Sequence, residues 1–232
     1  MGAWFSAMSL QLLSRFFEKR ETVAHLSPKD RIKKYGYRSF IGGQNPERWY
    51  SIGRLQYFFL VSQGLDHSHS FLDLGCGALR LGQYLIPYLD ENKYFGLEPE
   101  KLLVECGLFH EIDEKIVAIK KPRFAHNYDF NVEPLHEFDY AMANSIFTHM
   151  TQSDITRCFQ RLLDKTNQNT KFFFTFFEGD SSTNQWVESH ANRGWHYSFE
   201  ELESFAHGWN LKYIGDWGHP NDQKIVEANP IN

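Results

Sequence analysis

Cysteine is scarce in this chain of 232 residues, which has only Cys76, Cys106 and Cys158. The odd count, the wide spacing and the lack of any Cys-x-x-Cys exclude a disulfide framework and a zinc knot, and a reducing cytoplasm is the expected location. A basic excess is missing too. The formal net charge is −5, and the short run Lys29–Asp30–Arg31–Ile32–Lys33–Lys34 reads as a solvated helix face, so no nucleic-acid partner is expected. No apolar run reaches the ~20 residues of a membrane span. The uncharged stretch Met1 to Leu13 lacks the basic start and the cleavage site of a leader peptide. Leu12, Leu13, Phe16 and Phe17 stand at helical spacing, which predicts an amphipathic helix within residues 1–20. Packing on the body is expected there rather than contact with a membrane surface. No Gly-x-Ser-x-Gly elbow and no Walker loop occur. His67–Ser68–His69 has no further ligands nearby in sequence, so no metal site is expected.

What the chain does have is a rhythm. Residues 1–66 read as helices and loops, an N-terminal helical extension. From residue 67 onward short apolar runs alternate with amphipathic stretches, the pattern of βαβ units and a mostly parallel sheet. Strands are expected at Ser70–Leu74, Lys93–Leu97, Arg123–His126, Asp139–Ala143 and Lys171–Phe177. Helices are expected at Leu79–Leu89, Glu100–Phe109 and from an N-cap at Ser153 to Leu163, with Ile155, Cys158, Phe159 and Leu162 facing inward. Ser198 followed by Glu201 forms a capping box for another helix. Leu211–Ile214 and Lys224–Glu227 read as a closing antiparallel hairpin. Aromatic residues make up 16% of the chain, enough for a ring-rich core or cleft.

The strongest chemical signal is Phe71–Leu72–Asp73–Leu74–Gly75–Cys76–Gly77–Ala78–Leu79–Arg80, an apolar strand that ends in an acid, a glycine turn and a helix. Glycines allow a sharp turn and close approach of a ligand. About 20 residues on, where ribose-binding folds place an acid, stands Glu98 in Tyr94–Phe95–Gly96–Leu97–Glu98–Pro99. Together the two point to an adenosine-type cofactor. The third glycine of a dinucleotide fingerprint would fall at Arg80, so that fingerprint is broken. An acid before the loop suits a cofactor with a cationic end, which favours S-adenosylmethionine over NAD.

Asp73–Leu74–Gly75–Cys76–Gly77 resembles motif I of the class I S-adenosylmethionine-dependent methyltransferases. Phe138–Asp139–Tyr140–Ala141–Met142–Ala143–Asn144–Ser145 and Phe147–Thr148–His149–Met150 resemble the fourth-strand motif and the stretch after it. The resemblance covers about residues 68–228. It implies an α/β, Rossmann-like methyltransferase fold: a mostly parallel seven-stranded sheet, helices on both faces, the last strand antiparallel beside the fifth. Leu79 departs from the pattern, because many members carry a third glycine there.

The resemblance also implies roles. Gly75 and Gly77 would line the cofactor, Asp73 would organise the loop or the amino group, and Glu98 would hold the ribose. Asp129 would meet the adenine amine, and Asn144 would sit near the methyl group. Arg54 and Arg80 are rival partners for the cofactor carboxylate. Methyl transfer is an in-line displacement in which the protein chiefly aligns the reactants. Should the acceptor need a base, His149 comes first and Glu178 second. The segment Trp186 to Tyr197 is long enough to wall an acceptor site, and Trp217 and His219 add rings from the hairpin. The acceptor is expected to be a small molecule or glycan, methylated on oxygen or nitrogen. A non-catalytic cofactor-binding scaffold and an NAD(P)-dependent oxidoreductase or epimerase are the alternatives.

Overall fold

The computed structural model describes residues 26–43, 45–133, 135, 137–190 and 193–231. The amphipathic helix expected within residues 1–20 lies outside them. The chain divides into two compact units, Met1–Gly42 and Gly43–Asn232. In the first, helix α1 (Pro28–Tyr35) is opened by Ser27, whose side chain accepts from the Asp30 amide, and by a proline in its first turn. It buries no residue, in keeping with a solvated basic face. The short helix α2 (Tyr37–Phe40) follows.

The second unit begins before the boundary expected at 66/67. Helix α3 (Pro46–Ser62), capped by the Asn45 side chain, belongs to it. Trp49, Ile52, Gly53, Gln56 and Leu60 form its buried stripe, the spacing of one helix face. The remaining elements are β1 (Phe71–Leu74), α4 (Gly82–Tyr88), β2 (Tyr94–Leu97), α5 (Lys101–Glu111), α6 (Glu114–Lys120), β3 (Arg123–Ala125) and β4 (Tyr140–Ala143). They continue with α7 (Gln152–Leu163), β5 (Lys171–Glu178), β6 (His196–Tyr197), α8 (Phe199–Phe205), β7 (Trp209–Gly215) and β8 (Lys224–Pro230).

The sheet order is β3-β2-β1-β4-β5-β8-β7, with the short β6 paired to β5. All pairs from β3 to β5 are parallel, and β8 enters antiparallel between β5 and β7. The expected hairpin and antiparallel last strand are therefore present, and β6 is an addition. Side chains alternate between two cores. Leu72, Phe95, Ala141, Phe172, Phe174 and Val226 face α7 and α8. Phe71, Tyr94, Met142, Phe173 and Ile225 face α3 and α4. The inward residues Ile155, Cys158, Phe159 and Leu162 of α7 are buried as expected.

Two local expectations are corrected. The N-cap of α7 is Thr151, which accepts from the Asp154 amide, because a capping oxygen must reach the N2 or N3 amide and Ser153 already lies inside the helix. Helix α4 begins at Gly82 rather than Leu79, since Leu79 has φ 62° and cannot continue a right-handed helix. The Ser198–Glu201 capping box of α8 is formed as expected.

Candidate functional site

The chain passes from β1 through β2 to β3 on one side, then returns to β4 on the other side of β1. Open α/β sheets bind ligands at such a switch point, beyond the carboxyl ends of the strands. The loop from Gly75 to Leu81 lies there. Its Gly75 and Cys76 amides both donate to the Leu97 carbonyl, at 2.7 and 3.2 Å, which draws the loop across the end of β2. Gly75 has φ 65°, and a Cβ on it would run into the Ile146 side chain. The left-handed backbone favours glycine here, and any side chain would also have to displace Ile146.

The two acids of the motif have different surroundings. Asp73 is 5% exposed, on the α3/α4 side of the sheet, and accepts a 2.6 Å hydrogen bond from the Tyr94 hydroxyl. Burial pushes its pKa up to about 7; the Tyr94 bond opposes this and the nearby Glu98 charge adds to it. Glu98 accepts from the Gly77 amide through one carboxylate oxygen (3.1 Å) and from the Glu100 amide through the other (3.0 Å). Burial raises its pKa too, partly offset by those two amides. Each carboxylate oxygen has capacity for a second donor, so Glu98 can take two ribose hydroxyls while it keeps the loop in place.

At the end of β4, the Asn144 amide nitrogen donates to the Ser145 hydroxyl (3.1 Å), while its Oδ1 is buried and has no hydrogen-bond partner among the described residues. Ser145, at φ 59°, is held by a network that sequence did not reveal. Its amide donates to Thr175 Oγ1, and both hydroxyls donate to the buried Gln223 Oε1, at 2.9 Å from Ser145 and 2.7 Å from Thr175. Nothing in the local pattern marks Thr175, in β5, and Gln223, just before β8, which meet only because β5 and β8 pair. His149 ends a 3-10 turn (Phe147–His149), and its Nδ1 lies 2.6 Å from the Arg193 carbonyl. A carbonyl only accepts, so the neutral ring carries its proton on Nδ1 and its basic lone pair on Nε2. Glu178, at the end of β5, is exposed and accepts from the Tyr213 hydroxyl at 3.0 Å.

Helix α3 runs from the carboxyl edge to the amino edge of the sheet. The Gln63 carbonyl, just past its end, accepts from Tyr140 and Lys171 at the starts of β4 and β5. Its first turns pack on the loop after β1, where a Cβ on Gly53 would meet the Arg80 carbonyl at 2.6 Å. The Arg80 guanidinium lies 4.8 Å from the Trp49 ring centroid, and burial lowers its pKa to about 10, with Arg48 nearby acting in the same direction. Arg54 is exposed on α3. Asp129 is exposed in a turn closed by Asn127 Oδ1, which accepts the Asp129 and Asn131 amides. The loop thus brings together Asp73, Gly75, Gly77 and Glu98. Asn144 joins them through Gly75, which packs on Ile146. Arg54 and Asp129 share no described contact with that set. A cavity of about 530 Å³ lined by Ser70, Lys93 and Arg123 lies at the opposite, amino edge of the sheet and takes no part in this arrangement.

The donor set fits a nucleoside with a cationic tail: a two-oxygen acceptor for ribose, a buried carboxyl behind the loop and an unmet amide oxygen at Asn144. No family model matches the chain, and no curated protein matches it in sequence. Solved structures do match in shape. An S-adenosylmethionine-dependent methyltransferase from Clostridium acetobutylicum ATCC 824 aligns with a TM-score of 0.61 at 12% identity, over 89% of this chain and 100% of that one. Magnesium protoporphyrin IX methyltransferase from Synechocystis PCC 6803, with bound S-adenosylhomocysteine, aligns at 0.62 and 13% identity, over 87% and 97% of the two chains. The glycopeptide N-methyltransferase MtfA, complexed with S-adenosylhomocysteine, aligns at 0.57 and 11% identity, over 77% and 89%. The chain therefore has the Rossmann-like methyltransferase fold, a mostly parallel sheet closed by an antiparallel last strand.

Proposed function

We propose that this chain transfers a methyl group from S-adenosylmethionine to a small-molecule or glycan acceptor. One observation carries the reading: the Glu98 carboxylate is anchored to the Gly77 amide, so that the ribose acid and the glycine loop form one preorganised unit at the switch point. When bound, the cofactor supplies an electrophilic methyl group on a sulfonium. Glu98 holds the ribose hydroxyls. Gly75 and Gly77 let the backbone approach, and Asp73, once ionised, favours the cationic tail from behind the loop. Asn144 offers its unmet Oδ1 next to the reacting centre. Asp129 serves the adenine amine from the turn after β3, and of the two rival partners for the cofactor carboxylate, Arg54 on α3 and Arg80 on the loop, Arg54 is the one assigned to it.

His149 accepts the acceptor proton at Nε2, since its Nδ1 proton is held by the Arg193 carbonyl. Glu178, held by Tyr213, is the second proton acceptor at the same edge. The fold and the broken dinucleotide pattern at Arg80 favour this reading over an NAD(P)-dependent enzyme.

Calorimetric titration with S-adenosylmethionine, S-adenosylhomocysteine and NAD tests it. Heat with the first two and none with NAD is expected, and Glu98→Ala should weaken binding about 10- to 100-fold through loss of charge-assisted hydrogen bonds. Release of S-adenosylhomocysteine in the presence of acceptor pools then separates turnover from mere binding. Absence of heat with both sulfur nucleosides refutes the reading.

A further inference from the structure

Side chains far apart in sequence converge where α3 begins. The Arg48 guanidinium donates to Asn221 Oδ1, and the Asn221 amide donates to His219 Nδ1 at 3.3 Å. His219 is 5% exposed, and its ring lies parallel to that of Trp217, with centroids 5.5 Å apart. Because Nδ1 accepts, the neutral ring carries its proton on Nε2. That N–H is buried and has no acceptor among the described residues. Burial lowers the His219 pKa to about 4, and the nearby Arg80 and Arg48 charges act in the same direction. The hairpin's own acids are engaged elsewhere, Asp216 with the Gly218 amide and Asp222 with Lys224. The result is a half-enclosed group of two guanidinium cations and an unmet N–H donor.

We propose that Arg48, Arg80 and His219 form a subsite for an oxyanion borne by the acceptor, a carboxylate or a phosphate, so that the molecule methylated is an acidic one. This rests on the methyltransferase reading. Planar guanidinium forks match either oxyanion, and the imidazole N–H supplies a third donor. The position argues for the acceptor rather than the cofactor tail. Glu98 fixes the nucleoside end on β2, whereas His219 belongs to the β7–β8 hairpin. In the order β1-β4-β5-β8, β8 is three strands from β1, so His219 approaches Arg80 of the β1 loop from the side of the sheet away from Glu98 on β2.

The test uses the full chain with 15N-labelled histidine, saturated with S-adenosylhomocysteine, the His219 signal being assigned by its loss in His219→Gln. Benzoate and inorganic phosphate are titrated separately, the two arms telling a carboxylate site from a phosphate site. Saturable movement of the His219 Nε2 signal with either anion is expected. Arg48→Gln should weaken that anion about tenfold and leave S-adenosylhomocysteine affinity within about twofold. Two outcomes overturn the proposal. In one, neither anion moves the signal in protein that binds the nucleoside. In the other, Arg48→Gln weakens S-adenosylhomocysteine itself about tenfold, which assigns the group to the cofactor tail. A protein that ignores the nucleoside while benzoate still moves His219 refutes the methyltransferase reading and leaves the anion pocket standing.

Discussion

Asp73 and His219 are buried titratable groups displaced in opposite senses, and their effects on stability separate cleanly. The folded-state value for Asp73 is about 7, above its unfolded value, so the folded protein holds that proton more tightly. Stability from this group is present at low pH and is lost as pH rises from about 4 to about 7, a change on the order of 4 kcal/mol at ~1.4 kcal/mol per unit. His219, at about 4, lies below its unfolded value. Its contribution is present above about 6.5 and is lost as pH falls towards 4, on the order of 3 kcal/mol. The two slopes oppose each other between pH 4 and 6.5. Asp73→Asn keeps an acceptor for the Tyr94 hydroxyl and removes the charge, so its stability relative to the parent should grow with pH. His219→Gln should show the reverse. Thermal unfolding at half-unit pH steps measures both, and parallel curves for all three proteins would contradict the assignment. A cationic ligand favours ionised Asp73, so S-adenosylmethionine binding near pH 6.5 should release a proton, seen as a binding heat that varies with the ionisation enthalpy of the buffer.

Among the elements, the loop after β1 shows how a departure from pattern is absorbed. Leu79 is fully buried at φ 62°, a conformation that costs a branched residue about 1–2 kcal/mol. Its bulk is accommodated by glycines on the neighbouring helices. A Cβ on Gly107 of α5 would lie 2.7 Å from the Ala78 backbone and 2.8 Å from Leu79, and one on Gly82 of α4 would lie 3.0 Å from Leu79. Because backbone atoms cannot step aside, Gly107→Ala should destabilise the protein by about 1–3 kcal/mol. That lowers the melting temperature by roughly 2–4 °C per kcal/mol for a chain of this size, and an unchanged melting temperature would show that the loop is more pliant than its contacts imply. Sequence makes legible what is fixed locally and hides what depends on distant partners. The placement of Asp73, the glycines and Glu98 around one loop was legible because each lies within a few residues of a strand end. The Ser198–Glu201 box was legible because capping is local. The start of α4 was not, since nothing in a helical apolar pattern announces a left-handed leucine. Arg48 and Asn221 meet across 173 residues of sequence, and Ser145, Thr175 and Gln223 meet across two strand pairings. No local period encodes either encounter.

For the molecule as a whole, the decisive question is where the folding unit starts. A change in sequence texture places the boundary at residue 66, yet the compact unit opens at Gly43. Helix α3 explains the difference. Trp49 and Leu60 are fully buried, and Phe59 meets Phe173 and Trp217 edge to face, with centroids 5.1 and 5.4 Å away. Gln63 also supplies a carbonyl that satisfies Tyr140 and Lys171. Removing α3 would uncover the α3/α4 face of the sheet and leave the Tyr140 hydroxyl and the Lys171 ammonium without that acceptor. Loss of each large buried side chain costs on the order of 2–5 kcal/mol, and a typical domain has only about 5–15 kcal/mol in total. A chain cut to residues 67–232 should therefore lack a cooperative thermal transition and expose apolar surface to a hydrophobic dye. A chain cut to residues 43–232 should unfold in a single transition and, because Asp73, Gly77, Glu98 and Asn144 all lie within it, still bind S-adenosylhomocysteine. Cooperative unfolding of the 67–232 fragment would mean that α3 merely rests on the sheet, and the cation group it helps to build would then be a passing contact.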